Sequence, residues 1–195
     1  MIPSDLLLAA YASGWFPMAD DEGQLSWYSP DPRGIIPLDA FHAASRLMRV
    51  VRRGAFRIAV NTAFEEVIRA CAGAERDSDD SGTWISEEIV ESYIALHELG
   101  YAHSVEAWSG DRLVGGLYGV ALGGAFFGES MFHRATDASK VALVGLVDRL
   151  RSRGFALLDT QWVTAHLEQF SATEIPRTEY LRMLDASLRI DASFI

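Results

Sequence analysis

The spacing of hydrophobic positions predicts a strand-rich second half of the chain. Three segments, AHSVEAW, LVGGLYGVAL and AFFGESMF, alternate apolar and small residues between residues 102 and 132. Short turns at Ser109–Asp111 and Gly123–Gly124 join them, which predicts an antiparallel meander. An amphipathic helix at Asp137–Arg153 and a strand, FALLDTQ, follow. This order indicates an α+β fold in which helices flank an antiparallel or mixed sheet.

The remaining segments are predicted to be mostly helical. A short strand is expected at Phe56–Val60, and the stretch Gly14–Gly34, rich in Pro, Trp and Asp, is interpreted as a long loop without regular structure. The predicted helices are Ser4–Ser13, Asp39–Val51, Ala63–Ala72, Ser86–Leu99, Val163–Phe170 and Arg177–Leu188.

Two acids and an amide stand on apolar strands, where polar side chains are costly to bury unless they are hydrogen-bonded or functional. They are Glu129, Asp159 and Gln161. Strand alternation places Asp159 and Gln161 on one face, and it groups Glu129 with Phe127 and Met131. A catalytic cleft is one interpretation. The other is that Asp159 and Gln161 mark the end of a strand and bond a loop.

The charge pattern supports two interpretations of the helix predicted to begin at Asp39. The net charge of −10 argues against nucleic acid, yet five arginines and no acid lie between Ala40 and Arg57. A basic helical stripe could follow a phosphate backbone, although most charged helix faces are simply solvated. The stripe comprises His42, Arg46, Arg49 and Arg53, with Arg52 at its edge.

Several classes of site are not expected. Cys71 is the single cysteine, and no Cys/His spacing suggests a metal. Nucleotide-binding glycine loops are absent, so no cofactor is expected. No apolar run is long enough for a membrane span, and the N-terminal segment, which lacks a basic start and carries Asp5, does not resemble a signal peptide. The single cysteine fits a reducing cytoplasm.

Eight sequence motifs follow one another in order and at consistent spacing. They are SPDPRG (Ser29–Gly34), GTWI (Gly82–Ile85), LHELGYAHSVEAW (Leu96–Trp108), LVGGLYGV (Leu113–Val120), FFGESMF (Phe126–Phe132), ASK (Ala138–Lys140), LLDTQ (Leu157–Gln161) and EIPRTEYL (Glu174–Leu181). Together they resemble the motifs of the leucyl/phenylalanyl-tRNA–protein transferases, and the resemblance extends from about Leu6 to Leu188.

This resemblance implies a bacterial cytoplasmic enzyme that uses no cofactor. Such enzymes move leucine or phenylalanine, with methionine a further candidate, from aminoacyl-tRNA to the N-terminal Lys or Arg of a protein, which marks it for degradation. It also implies a catalytic domain related to GNAT acetyltransferases, expected at residues 61–195, after a small N-terminal α/β domain at residues 1–60.

The resemblance also assigns site residues. The implied catalytic group is Asp159, Gln161 and the pocket glutamate Glu129. The implied aminoacyl pocket is Leu117, Gly128, Met131, Leu143 and Leu158, with Leu146 and Leu150 where other members carry aromatic residues. The implied adenosine and tRNA contacts are Trp84, Tyr93, Arg46, Arg49, Arg52 and Arg53, and Met18 stands where other members have a second adenine-flanking Trp.

The activated ester of aminoacyl-tRNA needs no protein nucleophile, so the site must chiefly position the reactants. We hypothesise that Asp159 orients and polarises Gln161, whose carbonyl oxygen accepts a hydrogen bond from the attacking amine. The final proton acceptor stays open between a carboxylate, water and the hydroxyl of the tRNA.

Two other functions remain open on the residues alone. An acetyltransferase of the GNAT type needs a glycine-rich turn before its central helix, and the corresponding segment, HRATDASK, lacks those glycines. A non-catalytic RNA-binding module would explain the arginines and the aromatic residues, but it would leave Asp159 and Gln161 without a role.

Overall fold

The computed structural model of the 195-residue chain describes residues 1–20, 22–74 and 84–195. Gly82 and Thr83 of the GTWI motif lie outside the described residues. The helices are α1 (Ser4–Ala12), α2 (Ser45–Arg52), α3 (Phe64–Ala72), α4 (Glu87–Glu98), α5 (Ala138–Ser152), α6 (Ala165–Glu168) and α7 (Arg177–Leu188). The strands are β1 (Phe16–Ala19), β2 (Leu25–Tyr28), β3 (Arg33–Ile35), β4 (Arg57–Val60), β5 (Ala102–Ser109), β6 (Arg112–Leu122), β7 (Ala125–His133), β8 (Leu157–Gln161) and β9 (Thr173–Ile175).

Seven of the strands form one mixed sheet in the order β4-β5-β6-β7-β8-β3-β9. Strands β5, β6 and β7 form the predicted antiparallel meander. The crossover through α5 makes β8 parallel to β7, whereas the other neighbours in the sheet are antiparallel. The predicted α+β fold, a mixed sheet with flanking helices, is confirmed.

Helices cover both faces of this sheet. One hydrophobic cluster, called here the α5-side cluster, joins α5 and α2 to sheet residues such as Leu117 and Leu158. The second cluster, called here the α4-side cluster, joins α1, α3, α4 and α7 to the opposite face of the sheet through residues such as Phe127 and Leu157. Burial of two apolar faces by two helical layers is the main stabilising contribution expected in such a fold.

The prediction of a loop without regular structure from Gly14 to Gly34 is wrong for about half of that segment. Strands β1 and β2 form a separate hairpin in which Phe16 faces Tyr28, and β3 enters the main sheet between β8 and β9. The alternation in β1 is hard to detect because Pro17 lies inside a strand of only four residues.

The helix predicted from Asp39 begins instead at Ser45. The preceding segment is held against other elements by tertiary contacts. The Leu38 carbonyl accepts hydrogen bonds from Arg151, and the Phe41 ring stacks on Phe170 with centroids 5.6 Å apart. Residues 38–40 form a turn and residues 41–44 have no regular structure, so helical structure starts only after these contacts.

Smaller differences concern helix ends and one short strand. Helix α6 covers only Ala165–Glu168, where Thr164 accepts a bond from the Leu167 N–H, and β9 was not predicted. Helix α1 ends at Ala12, and Pro3 is its N-cap. The Ser86 hydroxyl caps α4, because it accepts a hydrogen bond from the Ile89 N–H.

Glu129 is the extra residue of a β-bulge in β7. Gly128 pairs with Gly119 and Ser130 pairs with Tyr118, so Glu129 has no partner of its own on β6. An inserted residue reverses the alternation beyond it. Phe127 therefore belongs to the α4-side cluster whereas Met131 packs against the α5-side cluster, and the predicted common face of these two residues is wrong.

The two halves of the expected domain division share the main sheet. Strands β3 and β4 precede residue 61, and both are strands of the seven-stranded sheet. The boundary at residue 60 stays a prediction. None of the helices in the described part of the chain has the length and apolar character that crossing a membrane requires.

Candidate active site

A cavity opens where two parallel strands separate. Pairing of β7 with β8 ends at Phe127 and Asp159. The next residues, Gly128 and Thr160, line a cavity of about 350 Å³. This volume lies in the range of small-molecule sites.

The half of the cavity next to α5 is apolar. Its walls belong to the α5-side hydrophobic cluster, and the predicted pocket residue Gly128 lies beside them. Leu150 is fully buried one turn farther along α5 and does not line the cavity, so its predicted place on the pocket wall is corrected. The predicted pocket residues that do form this half are Leu117, Met131, Leu143, Leu146 and Leu158.

Glu129 presents a carboxylate to the cavity and is held by two tyrosines. The Tyr11 hydroxyl donates to Oε1 at 2.7 Å, and the Tyr93 hydroxyl donates to Oε2 at 3.5 Å. The two hydroxyls also lie within hydrogen-bond distance of each other, so the single Tyr93 proton is shared between Tyr11 and Glu129. Burial of the carboxyl group raises the pKa of Glu129 to about 8, against the opposing effect of the Tyr11 hydrogen bond, and the charge of Asp159 adds to the rise.

Gln161 joins this cluster from the end of β8. Its Nε2 donates to Glu129 Oε1 at 3.3 Å, and the side chain lines the cavity. The backbone of Gln161 has a φ of 60°, in the left-handed region that non-glycine residues rarely adopt. This turn directs the side chain toward Glu129, so the predicted association of these two residues is present in the structure.

Asp159 lies behind the cavity rather than in its wall. It is fully buried, and its carboxylate accepts bonds from Arg33 Nε at 2.9 Å, Arg33 Nη2 at 2.6 Å and the Tyr180 hydroxyl at 2.7 Å. It also accepts the backbone N–H of Gln161 at 2.9 Å. Asp159 therefore contacts the backbone of Gln161 and not its side-chain amide, unlike the arrangement that we hypothesised.

Aromatic residues form the other end of the cavity. Phe16, Met18 and Trp84 line it, and the Trp84 carbonyl accepts the Ala19 N–H at 3.0 Å, which fastens the β1–β2 hairpin to this wall. Tyr93 is fully buried behind Glu129 and does not line the cavity, so it is not placed to stack on a ligand base.

The arginines of α2 form an exposed basic surface, although His42 precedes the helix and is not part of the stripe. Arg46 lies 3.9 Å from Asp137. Arg49, Arg52 and Arg53 are exposed and make no ion pair with the residues that the structure describes. Helix α2 packs on α5, whose leucines line the cavity, so both features share one side of the sheet.

Comparison with known proteins identifies the family. A family description, "Leucyl/phenylalanyl-tRNA protein transferase", matches residues 35–185, and the description of its N-terminal domain matches residues 2–31. The chain belongs to the leucyl/phenylalanyl-tRNA–protein transferase family.

Relatives that carry this name resemble nearly the whole chain. The protein from Gloeobacter violaceus is 56% identical over 97% of this chain and 96% of its own length. That from Paramagnetospirillum magneticum is 58% identical over 95% of this chain and 89% of its own length. Among solved structures, L-PGS from Bacillus licheniformis aligns with a TM-score of 0.47 and 12% identity over 90% of this chain and 67% of that chain, a similarity too low to support an inference.

The site of this leucyl/phenylalanyl-tRNA–protein transferase family member includes residues that sequence reasoning missed. Tyr11 lies in a predicted helix without any local signal, whereas Arg33 and Tyr180 lie within the quoted motifs SPDPRG and EIPRTEYL. Two buried polar atoms in the cavity lining, Thr160 Oγ1 and His166 Nε2, have no hydrogen-bond partner among the described residues. Substrate or water is expected to satisfy them. No group of three metal-ligating side chains is found in the described ranges.

Proposed function

We propose that this chain transfers leucine or phenylalanine from aminoacyl-tRNA to the N-terminal Lys or Arg of acceptor proteins. Family membership over nearly the whole chain supports the reaction class. The observation that carries the proposal is the hydrogen-bonded pair of Glu129 and Gln161 beside the leucine-lined half of the cavity. The acceptors would thereby be marked for degradation in the bacterial cytoplasm, where aminoacyl-tRNA is available.

The reaction forms one bond and breaks another. The α-amine nitrogen of the acceptor attacks the ester carbonyl carbon, and the new C–N bond yields a tetrahedral oxyanion. Collapse of this intermediate breaks the ester C–O bond, and the terminal ribose oxygen of the tRNA leaves with a proton. One proton must also leave the attacking amine. The ester is already activated, so positioning the two reactants supplies much of the acceleration, in favourable cases about 7–11 kcal/mol.

Gln161 and Glu129 have different roles in the reaction: one orients the attacking amine and the other accepts its proton. Gln161 Nε2 is bonded to Glu129, which leaves the amide oxygen of Gln161 free to accept a hydrogen bond from the attacking amine. A neutral amide is a poor base, whereas a carboxylate whose pKa is raised to about 8 is matched to proton transfer near neutral pH. Glu129 is therefore the residue that we assign as proton acceptor.

The apolar half of the cavity accounts for the choice of amino acid. Leu146 and Leu158 belong to the walls of the cavity. The side chains of leucine, phenylalanine and methionine are not branched at Cβ and can extend between these two walls. Isoleucine and valine carry their branch next to the backbone and should fit poorly. One methylene is worth only about 1–3 kcal/mol, so some methionine transfer is expected. Competition among Leu-, Met- and Ile-tRNA tests this selectivity, and efficient isoleucine transfer would contradict it.

The aromatic end of the cavity and the basic helix fit the nucleic-acid part of the substrate. Trp84 offers a partly exposed ring next to Met18, as stacking on the terminal adenine requires. The arginines of α2 would hold phosphates of the acceptor stem. An overall charge of −10 favours an acceptor whose N-terminus is cationic.

A transfer assay tests the proposal. Radiolabelled Leu-tRNA is incubated with the protein and a peptide that begins with Arg, and the label should move to the peptide. A matched peptide with an acetylated N-terminus lacks the nucleophilic amine and should stay unlabelled. Absence of transfer to either peptide would overturn the proposal. Transfer of acetyl groups from acetyl-CoA would favour the acetyltransferase alternative instead.

A further inference from the structure

One buried arginine joins three parts of the chain behind the active site. Arg33 on β3 is 1% exposed. Its Nη1 donates to the Gly14 carbonyl at 3.0 Å, and its Nε and Nη2 donate to the two oxygens of Asp159. Its guanidinium also lies 4.4 Å from the centre of the Tyr180 ring. The segment after α1, strand β8 and helix α7 are therefore fixed to each other through one side chain.

The carboxylate at the centre of this cluster has no capacity left for substrate. One oxygen of Asp159 accepts Arg33 Nε and the Gln161 N–H, and the other accepts Arg33 Nη2 and the Tyr180 hydroxyl. Asp159 is fully buried and does not line the cavity. A carboxylate with a bidentate arginine and two further donors is held in one orientation.

The bond from the Gln161 N–H connects this cluster to the catalytic group. Gln161 has a left-handed backbone conformation, which an L-residue keeps only where its surroundings hold it. The bond from its N–H to Asp159 provides such support directly. The direction of the Gln161 side chain toward Glu129 thus depends on where Asp159 lies, and the position of Asp159 depends on Arg33 and Tyr180.

We propose that Arg33 and Tyr180 are positioning residues, which fix Asp159 and through it the backbone turn that presents Gln161 to the attacking amine. This inference rests on the proposed transferase function, and it gives Asp159 a positioning role that acts through the backbone of Gln161 and not through polarisation of its side-chain amide. Arg33 is suited to the task because a guanidinium forms two parallel bonds to a carboxylate while a third nitrogen reaches the Gly14 carbonyl. A lysine in its place keeps the charge but cannot make these bonds together.

The test compares Arg33→Lys and Tyr180→Phe with a matched control, Arg177→Lys. Arg177 also anchors a nearby loop, through the Ser29 carbonyl at 2.9 Å, but it has no contact with Asp159. Transfer kinetics separate kcat from the KM for Leu-tRNA. Hydrogen exchange followed by mass spectrometry measures protection of the Gln161 N–H, and thermal unfolding reports global stability.

We expect kcat to fall by about 10²-fold in Arg33→Lys, the scale of a misplacement of about 1 Å, while the KM for Leu-tRNA changes little. Exchange of the Gln161 N–H should be at least about tenfold faster in Arg33→Lys and Tyr180→Phe, with unchanged exchange in β5 and β6, because only one local bond is weakened. Arg177→Lys should match the wild type in both measurements.

Two results would overturn the inference. One is wild-type kcat and wild-type Gln161 exchange in Arg33→Lys. The other is a loss of transfer with faster exchange throughout the sheet, which would reduce Arg33 to a general contribution to stability. If the wild-type protein shows no transfer, the proposed function fails, while the exchange data still decide whether Arg33 fixes the Gln161 turn.

Discussion

Replacing Glu129 with Gln tests the assignment of the proton acceptor. The substitution keeps the size of the side chain and its ability to accept from Tyr11, but it removes the ionisable group. With a pKa of about 8, the wild-type carboxyl is ionised in roughly a tenth of molecules at pH 7 and nine tenths at pH 9. If the ionised form accepts the proton, kcat should rise about tenfold over this interval.

The assay is steady-state transfer of leucine to a saturating Arg-starting peptide between pH 6 and 9. The acceptor amine also titrates in this range, with a pKa of about 7.7–8.0. Glu129→Gln retains that titration and loses only that of Glu129, so the ratio of the two rates isolates the enzyme group. We expect transfer by the variant to be about 10²- to 10⁴-fold slower, and we expect the ratio of wild type to variant to increase with pH. A ratio that is constant across the range would refute the role of Glu129 as base.

The free energy of unfolding should decrease as pH rises, whereas the rate of transfer should increase. The folded-state pKa of Glu129 is raised from its ordinary value of 4.5 to about 8, so between these values the native protein keeps a proton that the unfolded chain loses. The free energy of unfolding therefore decreases as pH rises through this window. Above pH 8, Glu129→Gln should be more stable than the wild type, by on the order of 2–3 kcal/mol after allowance for the partial exposure of the side chain. Near pH 4 this difference should vanish, as thermal unfolding at the two pH values would show.

Three further predictions concern other parts of the molecule. Glu106→Gln should lower the free energy of unfolding by about 2 kcal/mol, because the buried Glu106 carboxylate accepts several hydrogen bonds at the start of α3. Transfer by the folded variant should not change. Denaturant titrations that show unchanged stability would contradict this prediction. Gly34→Ala should reduce transfer about 10²-fold, because a Cβ at this position would lie 2.5 Å from the Trp162 carbonyl carbon, beside the active site. A fully active variant would show that the backbone can shift to accept the Cβ. Changing Arg49 and Arg53 to Glu should weaken tRNA binding and lower the log–log salt slope by about two units, and an unchanged slope in filter binding would show that α2 does not contact tRNA.

Local patterns were sufficient for the elements whose contacts are regular. The meander of β5–β7 and the amphipathic α5 follow from alternation and helical spacing, because each buries one continuous face. The start of α2 was placed too early because contacts of Leu38 and Phe41 with distant residues override local helix propensity.

The site was predictable only in part. The polar residues on apolar strands and the resemblance to a family both indicated Glu129, Asp159 and Gln161, and the cavity does bring Glu129 and Gln161 together. The bulge at Glu129, which places Phe127 and Met131 on different faces of the sheet, depends on pairing with β6, so alternation along β7 alone could not reveal it. The role of Arg33 depends on a partner 126 residues away, and no local pattern predicts such a pair.

The position of a bound leucyl group tests the central claim most directly. A crystal structure with a non-hydrolysable leucyl-adenosine amide would show where the side chain and the reacting carbonyl lie. We predict the isobutyl group between Leu146 and Leu158, the adenine against Trp84, and the carbonyl carbon within reach of an amine bonded to Gln161. A leucyl side chain bound outside the β7–β8 cavity, or a carbonyl directed away from Gln161 and Glu129, would contradict the account.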